Sequence, residues 1–335
     1  MTILTRRLTA PLPAPGSPWR LSGVDVGASP AQVATALADQ ALTRALHAAT
    51  TVPFDDSSRI VFISDCHRGD GGYADEFARN EDIYLDALSH YAGAGFTYVE
   101  LGDGDELWKN RRFDDVRRAH RETYALLQLL QRQGRFHMVW GNHDGWWQES
   151  ESPAGPSARC HEAEVLRRAY AELLDGGRVH PGLVFRHASS GVRLFATHGH
   201  QADPFSHQLA GLGRFFVGRV WKSLQWFGFQ DPTSAAENAA PVTALERRLA
   251  GWAQRHRQPL ICGHTHRPHF PRPGEIPYFN TGSCVHPRAI TALELQAGAL
   301  TLVCWQAPPP SGGRRSERAH RVPLAAEMAL GQVAC

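Results

Sequence analysis

At 335 residues the chain suffices for one large domain or two, and its 42% hydrophobic content can fill a buried core. The 35 Lys and Arg nearly balance the 33 Asp and Glu, and the net charge of +2 gives no support for a nucleic-acid binder working through bulk positive charge. No run of about 18 apolar residues is present to span a membrane, and none of the six cysteines forms a CxxC pair, so histidine, at 18 copies, is the compositional outlier.

Residues 1–28 are rich in Pro and Gly and are predicted to be poorly ordered. They carry basic residues but no continuous apolar stretch, so no signal peptide is expected. With no disulfide framework legible, a reduced, cytoplasmic location is expected. Ser29 followed by Pro30 reads as the N-cap and first residue of a helix reaching about Ala49. Residues 1–58 are therefore read as an N-terminal extension, with the core beginning at Arg59.

Five short apolar runs follow, each ending in a polar cluster: IVFIS before DCHRGD, FTYVEL before GDGDE, FHMVW before GNHD, RLFAT before HGHQAD, and PLIC before GHTHRP. Their length and their Val, Ile, Phe and Tyr content predict buried strands. Segments 76–92 and 116–133 are predicted helices. This alternation predicts a layered α/β fold, in which ligands gather outside the carboxyl ends of strands. Between the fourth and fifth clusters, about 204–256 reads as a helical insert. Within it, residues 208–230 place Leu209, Leu212, Phe216, Val220, Leu224 and Phe227 on one helical face, with Arg214 and Lys222 opposite. Such a basic amphipathic helix is either a lid packed on the chain's own core or a contact for lipid. A further helix is expected from about 241 to 256. IPYFN, AITALEL and ALTLVCW read as strands of a second, antiparallel portion of sheet. Residues 307–335 read as a flexible basic linker and a short helix near 323–330.

The polar clusters have the composition of a metal site. Asp65 and His67 stand two apart, Asp103 follows the second run, Asn142 and His143 the third, His198 and His200 the fourth, and His264 and His266 the fifth. Imidazole, carboxylate and amide donors without thiolate suit Mn²⁺, Fe, Zn²⁺ or Co²⁺. There are more donors than one ion can use. A pair of ions roughly 3.5–4 Å apart, sharing a carboxylate, would use them all.

In this order the motifs D-x-H (Asp65, His67), G-D-x-x-acid (Gly102, Asp103, Glu106), G-N-H-D (141–144), H-G (His198, Gly199) and G-H-x-H (Gly263, His264, His266) resemble the calcineurin-like metallophosphoesterases. The resemblance covers about residues 59–285. It implies a four-layer αββα sandwich of two mixed β-sheets flanked by helices, with a helical insert, or cap, and a metallophosphoesterase domain at 59–306. It implies that Asp65, His67 and His266 hold one ion, that Asn142, His198 and His264 hold the other, and that Asp103 bridges them. Two divalent ions are implied, with Mn²⁺ expected and Fe or Zn²⁺ as alternatives. A metal-bridging hydroxide would hydrolyse a phosphodiester or pyrophosphate bond. His143 would stabilise the phosphate and protonate the leaving oxygen, and Glu106 would orient His143.

Glu106 stands where the family usually has Asp. Reading Asp105 as the bridging acid would put Trp108 at the orienting position, so Asp103 is preferred. Asp105 is expected to be solvated or capping, Glu100 to lie outside the site, and Asp144 to accept structural hydrogen bonds. Arg68, Arg111 and His200 are candidates for substrate binding, with a surface salt bridge as the alternative for the arginines and support of the metal ligands from behind as the alternative for His200. FISD, GDxxE, the amphipathic insert and GHTHRP look most like the bacterial UDP-2,3-diacylglucosamine hydrolase branch. That likeness implies a phosphoester small molecule or nucleotide-containing substrate and peripheral contact with the inner face of a membrane through 208–230. The branch typically has Arg in place of His143 and Asp in place of His200. Competing readings are a cyclic-nucleotide phosphodiesterase, a nuclease, and a catalytically dead metal-binding scaffold. No nucleic-acid partner is expected.

Overall fold

The computed structural model describes residues 29–110, 112–144, 168, 170–175, 177–203, 239–307 and 318–333. Helix α1 (Pro30–Ala48) starts at a capping box: Ser29 Oγ accepts from the Gln32 backbone N–H, and the Gln32 side chain accepts from the Ser29 N–H. Strand β1 (Thr50–Phe54) follows, then β2 (Arg59–Ile63), a 3₁₀ turn (Phe77–Arg79) and α2 (Glu81–Gly93). Next come β3 (Thr97–Leu101), α3 (Phe113–Ala119), α4 (Arg121–Arg132), β4 (Phe136–Val139), β5 (Val179–His180), β6 (Leu183–His187) and β7 (Arg193–Ala196). The chain continues through α5 (Ala239–His256), β8 (Leu260–Cys262), β9 (Tyr278–Asn280), β10 (Ala289–Gln296), β11 (Ala299–Gln306), β12 (His320–Pro323), β13 (Met328–Ala329) and α6 (Leu330–Val333).

Two mixed sheets result. One has the order β12-β11-β10-β2-β3-β4-β5, with β13 beside β11, and β2 to β5 run parallel. The other has the order β1-β6-β7-β8-β9. Three hydrophobic cores lie between four layers. Val61 and Ile63 of β2 face the helical layer of Tyr84, Leu88 and Leu127. The alternate residues Ile60 and Phe62 face the other sheet, against Phe185, Leu194 and Ile261. The outer face of that second sheet, including Phe195 and Leu260, is covered by Ala38, Leu42 and Ala45 of α1 and by Leu249 and Trp252 of α5. The period of two along each strand thus divides one strand between two cores. The fold is the expected four-layer αββα sandwich.

Several local expectations are corrected. Residues 50–54 form a strand, because TTVPF pairs in parallel with β6 from an edge position where Pro53 is tolerated. IPYFN joins β8 in parallel rather than forming an antiparallel segment with the two strands after it. Those two make a hairpin added to β2 in the other sheet. The expected helix 116–133 is two helices meeting at His120, whose buried ring lies 2.8 Å from Asp75 and 2.9 Å from Glu81. Near the C-terminus, 320–323 is a strand on β11, and helix forms only at Leu330–Val333. The amphipathic segment 208–230, with most of the insert, lies outside the described residues, as does Arg111.

Candidate metal centre

Five loops leave the C-terminal ends of β2, β3, β4, β7 and β8, three from one sheet and two from the other. Backbone hydrogen bonds join them. The Asp65 N–H donates to Gly102 O at 3.1 Å, the His67 N–H to Asp103 O at 2.9 Å, and the Gly263 N–H to His198 O at 2.9 Å. Such close approach excludes side chains at the glycines: a Cβ on Gly141 would collide with the Asp103 carboxylate, and one on Gly102 would meet the His198 ring. Asp65, His67, Asp103, His264 and His266 all have φ between 51° and 69°. This left-handed backbone is uncommon for non-glycine residues and is held by the loop contacts around it.

The side chains converge in two groups. In the first, Nε2 of His67 and Nε2 of His266 are 3.1 Å apart, and Asp65 Oδ1 is 3.2 Å from the latter. The second contains Asp103, His198 and His264, with His198 Nε2 3.1 Å from Asp103 Oδ2. Asp103 Oδ2 also lies 3.9 Å from His67 Nε2, so one carboxylate oxygen faces both groups. The remaining oxygens are occupied. Asp65 Oδ2 accepts from Ser64 Oγ and from the His264 N–H, and Asp103 Oδ1 accepts from the His143 N–H at 2.8 Å. His198 donates Nδ1–H to Leu101 O at 2.9 Å, which directs Nε2 toward the carboxylates.

This arrangement fits divalent cations. Asp65 Oδ1, Asn142 Oδ1 and His198 Nε2 are buried without hydrogen-bond partners, a costly state that a cation relieves. Burial pushes the Asp65 carboxyl up, but His266 and His198 outweigh it and hold it far below the usual range. Burial likewise opposes ionisation of Asp103, and His198 and His143 outweigh it. Both acids are therefore ionised, as ligands must be. His198 is pushed up to about 9 by Asp103 and Asp65 against the effect of burial, so the pocket favours positive charge. Neither group contains a thiolate.

A third group joins His67, Glu106 and His143. Glu106 Oε1 binds His143 Nδ1 at 2.9 Å, and Oε2 lies 3.4 Å from His67 Nδ1. The longer Glu thus reaches two imidazoles. Burial lowers the pKa of the His143 imidazole, and the Glu106 and Asp103 carboxylates more than reverse it. Trp108 stacks on the His143 ring, with centroids 4.1 Å apart at 18°. His200 is buried beside the same loops, its ring 5.4 Å from that of His198.

Arg68 does not reach toward substrate, which corrects the sequence-based expectation. Its guanidinium is fully buried, donating to both oxygens of Glu100 at 2.7 Å and to Asp105 Oδ1 at 2.7 Å. Asp105 is correspondingly buried rather than solvated, accepting also from the Tyr124 and Tyr170 hydroxyls. Glu100 stays out of the site, and Asp144 accepts from the Gly104 and Gly141 N–H groups. Arg68→Met should destabilise the fold by about 3–5 kcal/mol, because it strands two buried carboxylates. Urea unfolding measures this, and KM in the folded fraction should stay unchanged; a selective rise in KM would restore the substrate role. Two supporting contacts carried no sequence signal: His286 Nε2–H donates to His266 O at 2.7 Å, and Asp203 lies 3.5 Å from His264 Nε2. Both depend on loops that meet only in the fold.

A family model described as "Calcineurin-like phosphoesterase" matches residues 58–268. No curated protein matches. Similar solved structures include Vacuolar Protein Sorting 29 from Cryptosporidium parvum, 13% identical, covering 81% of this chain and 98% of that one at a TM-score of 0.35. Another is the cold-active protein-tyrosine phosphatase of a psychrophilic Shewanella species, 16% identical, covering 75% and 78% at a TM-score of 0.37.

Proposed function

The chain belongs to the calcineurin-like phosphoesterase family and is a metal-dependent phosphoester hydrolase, and from that premise we propose that it works with two divalent ions, Mn²⁺ for preference, on a phosphodiester or pyrophosphate. Asp65, His67 and His266 would hold one ion, Asn142, His198 and His264 the other, with Asp103 shared. The observation that carries this reading is Asp103 Oδ2, which faces histidines of both groups. Bound there, the ions would supply positive charge for phosphoryl oxygens and lower the pKa of water.

The chain's own residues do the rest. Glu106 takes Nδ1 of His143, so Nε2 carries the proton offered to the leaving oxygen. Asp103 Oδ1 fixes the backbone N–H of His143, tying the acid to the bridging carboxylate. With the Arg68 guanidinium buried against Glu100 and Asp105, it offers no charge to the extra anionic oxygen of a monoester. That favours a diester or pyrophosphate. Within the class, a nucleotide–sugar–lipid pyrophosphate met at the cytoplasmic face of a membrane is the substrate that the basic amphipathic segment 208–230 would serve. No described helix is long and apolar enough to cross a membrane.

The test is a hydrolysis panel with purified protein and Mn²⁺, covering bis-p-nitrophenyl phosphate, p-nitrophenyl phosphate, cyclic nucleotides and UDP-sugar lipids. Diester or pyrophosphate turnover that exceeds monoester turnover and is abolished by a chelator is expected. Absence of turnover with Mn²⁺, Fe²⁺, Zn²⁺ and Co²⁺ alike would sink the reading.

A further inference from the structure

We propose that Trp108 is a positioning residue that holds the His143 imidazole in line for proton transfer to the leaving group; this rests on the reading of His143 as the acid. The turn after β3 places Leu107 and Trp108 in different surroundings. Leu107 enters the helical-side core, whereas Trp108 is half-buried and belongs to none of the three cores. Its ring lies flat on His143 instead. Nε1–H also donates to Asn142 O at 2.6 Å, an additional hold on the indole beside the stacking itself.

The imidazole is therefore confined on three sides. Trp108 covers one face at 4.1 Å, the His67 ring meets it edge-on at 4.7 Å and 89°, and Glu106 holds Nδ1. A hydrogen bond at Nδ1 alone would let the ring pivot about that bond. The flat indole and the His67 ring close that pivot into a slot, and the direction of Nε2 is set. Proton transfer gains from such fixed alignment, since a small misplacement of a reacting group lowers the rate steeply. Residues 106–108 thus provide both the hydrogen bond and the plate that aim one acid. The same indole N–H ties down the peptide following Asn142, linking the acid's aim to the metal loop.

The test uses Mn²⁺-loaded protein and two diesters with one methyl phosphate and different leaving groups, methyl p-nitrophenyl phosphate and methyl phenyl phosphate. p-Nitrophenolate departs without protonation, whereas phenolate departs far better when given a proton. Trp108→Leu should lose about tenfold more kcat on the phenyl ester than on the nitrophenyl ester, with KM and bound Mn²⁺ unchanged. Trp108→Phe, which keeps a stacking ring, should recover most of that selective loss. Trp108→Gln repeats the measurement should the Leu variant fail to fold. Equal loss on both esters, loss of bound Mn²⁺, or a Phe variant as selective in its loss as Leu would overturn the proposal. His143→Gln separates the two readings. If it is selective against the phenyl ester while Trp108→Leu is not, only the role of Trp108 falls; if it is unselective, the reading of His143 as the acid falls first.

Discussion

Asp103→Asn is expected to yield a folded chain that binds fewer than two equivalents of Mn²⁺ and turns over about 10³-fold more slowly, since metal-supplied charge stabilisation amounts to several kcal/mol and each 1.36 kcal/mol is tenfold in rate. The two carboxylate oxygens of Asp103 have different partners. Oδ1 accepts the His143 N–H at 2.8 Å, a bond that the amide oxygen of Asn can keep. Keeping it forces the amide NH₂ into the place of Oδ2, 3.1 Å from His198 Nε2 and 3.9 Å from His67 Nε2. An acceptor with negative charge becomes a donor pair aimed at the cation positions. The substitution is nearly isosteric, so the fold should survive. Metal content by mass spectrometry together with kcat decides the matter. Two retained equivalents with near-normal turnover would remove Asp103 from the bridging role.

His143→Gln should cost about 10²–10⁴-fold in kcat on substrates with poor leaving groups, the range of general acid–base catalysis. Bound metal should be retained, because Nδ1 of His143 faces Glu106 and the ring belongs to neither group that includes Asp65 or Asp103. This second measurement matters, since His143 also clusters with His67 and Glu106 in an arrangement able to hold an ion. A variant that loses metal in step with activity would make His143 a ligand instead of an acid.

Much of the candidate site was legible in the chain because strands end where apolar runs stop, and the proposed ligands stand in the first residues beyond. Asp65, His67, Asp103, Asn142, His198, His264 and His266 each lie within a few residues of such an end, so short-range pattern and motif order sufficed to name them. The structure gathers the carboxylates and imidazoles of this set into two groups and leaves Asn142 Oδ1 buried without a partner, an arrangement that fits the cations that motif order implies. Helix α1 was equally readable, since a cap and a proline are local chemistry. Strand β1 was not: TTVPF has no buried pattern of its own and becomes a strand only because β6 offers it an edge.

The stretch ELGDGDELW marks the boundary between these two kinds of information. Its order, through its likeness to the family's motifs, nominated the acid directly after Gly102 for the bridging position and an acid three residues later for steering His143. It said nothing about direction. Glu100 and Asp105 read as peripheral, and the fold buries both around Arg68, 32 and 37 residues away in sequence. Trp108 was given no site role by the motifs, and the fold lays it on a histidine 35 positions further along the chain. Sequence determined which chemical groups stand at the strand ends, because that depends on short-range pattern and spacing. Only tertiary structure decided which charges meet solvent and which neutralise each other in the interior, because burial and pairing depend on residues that come together when the sheets close.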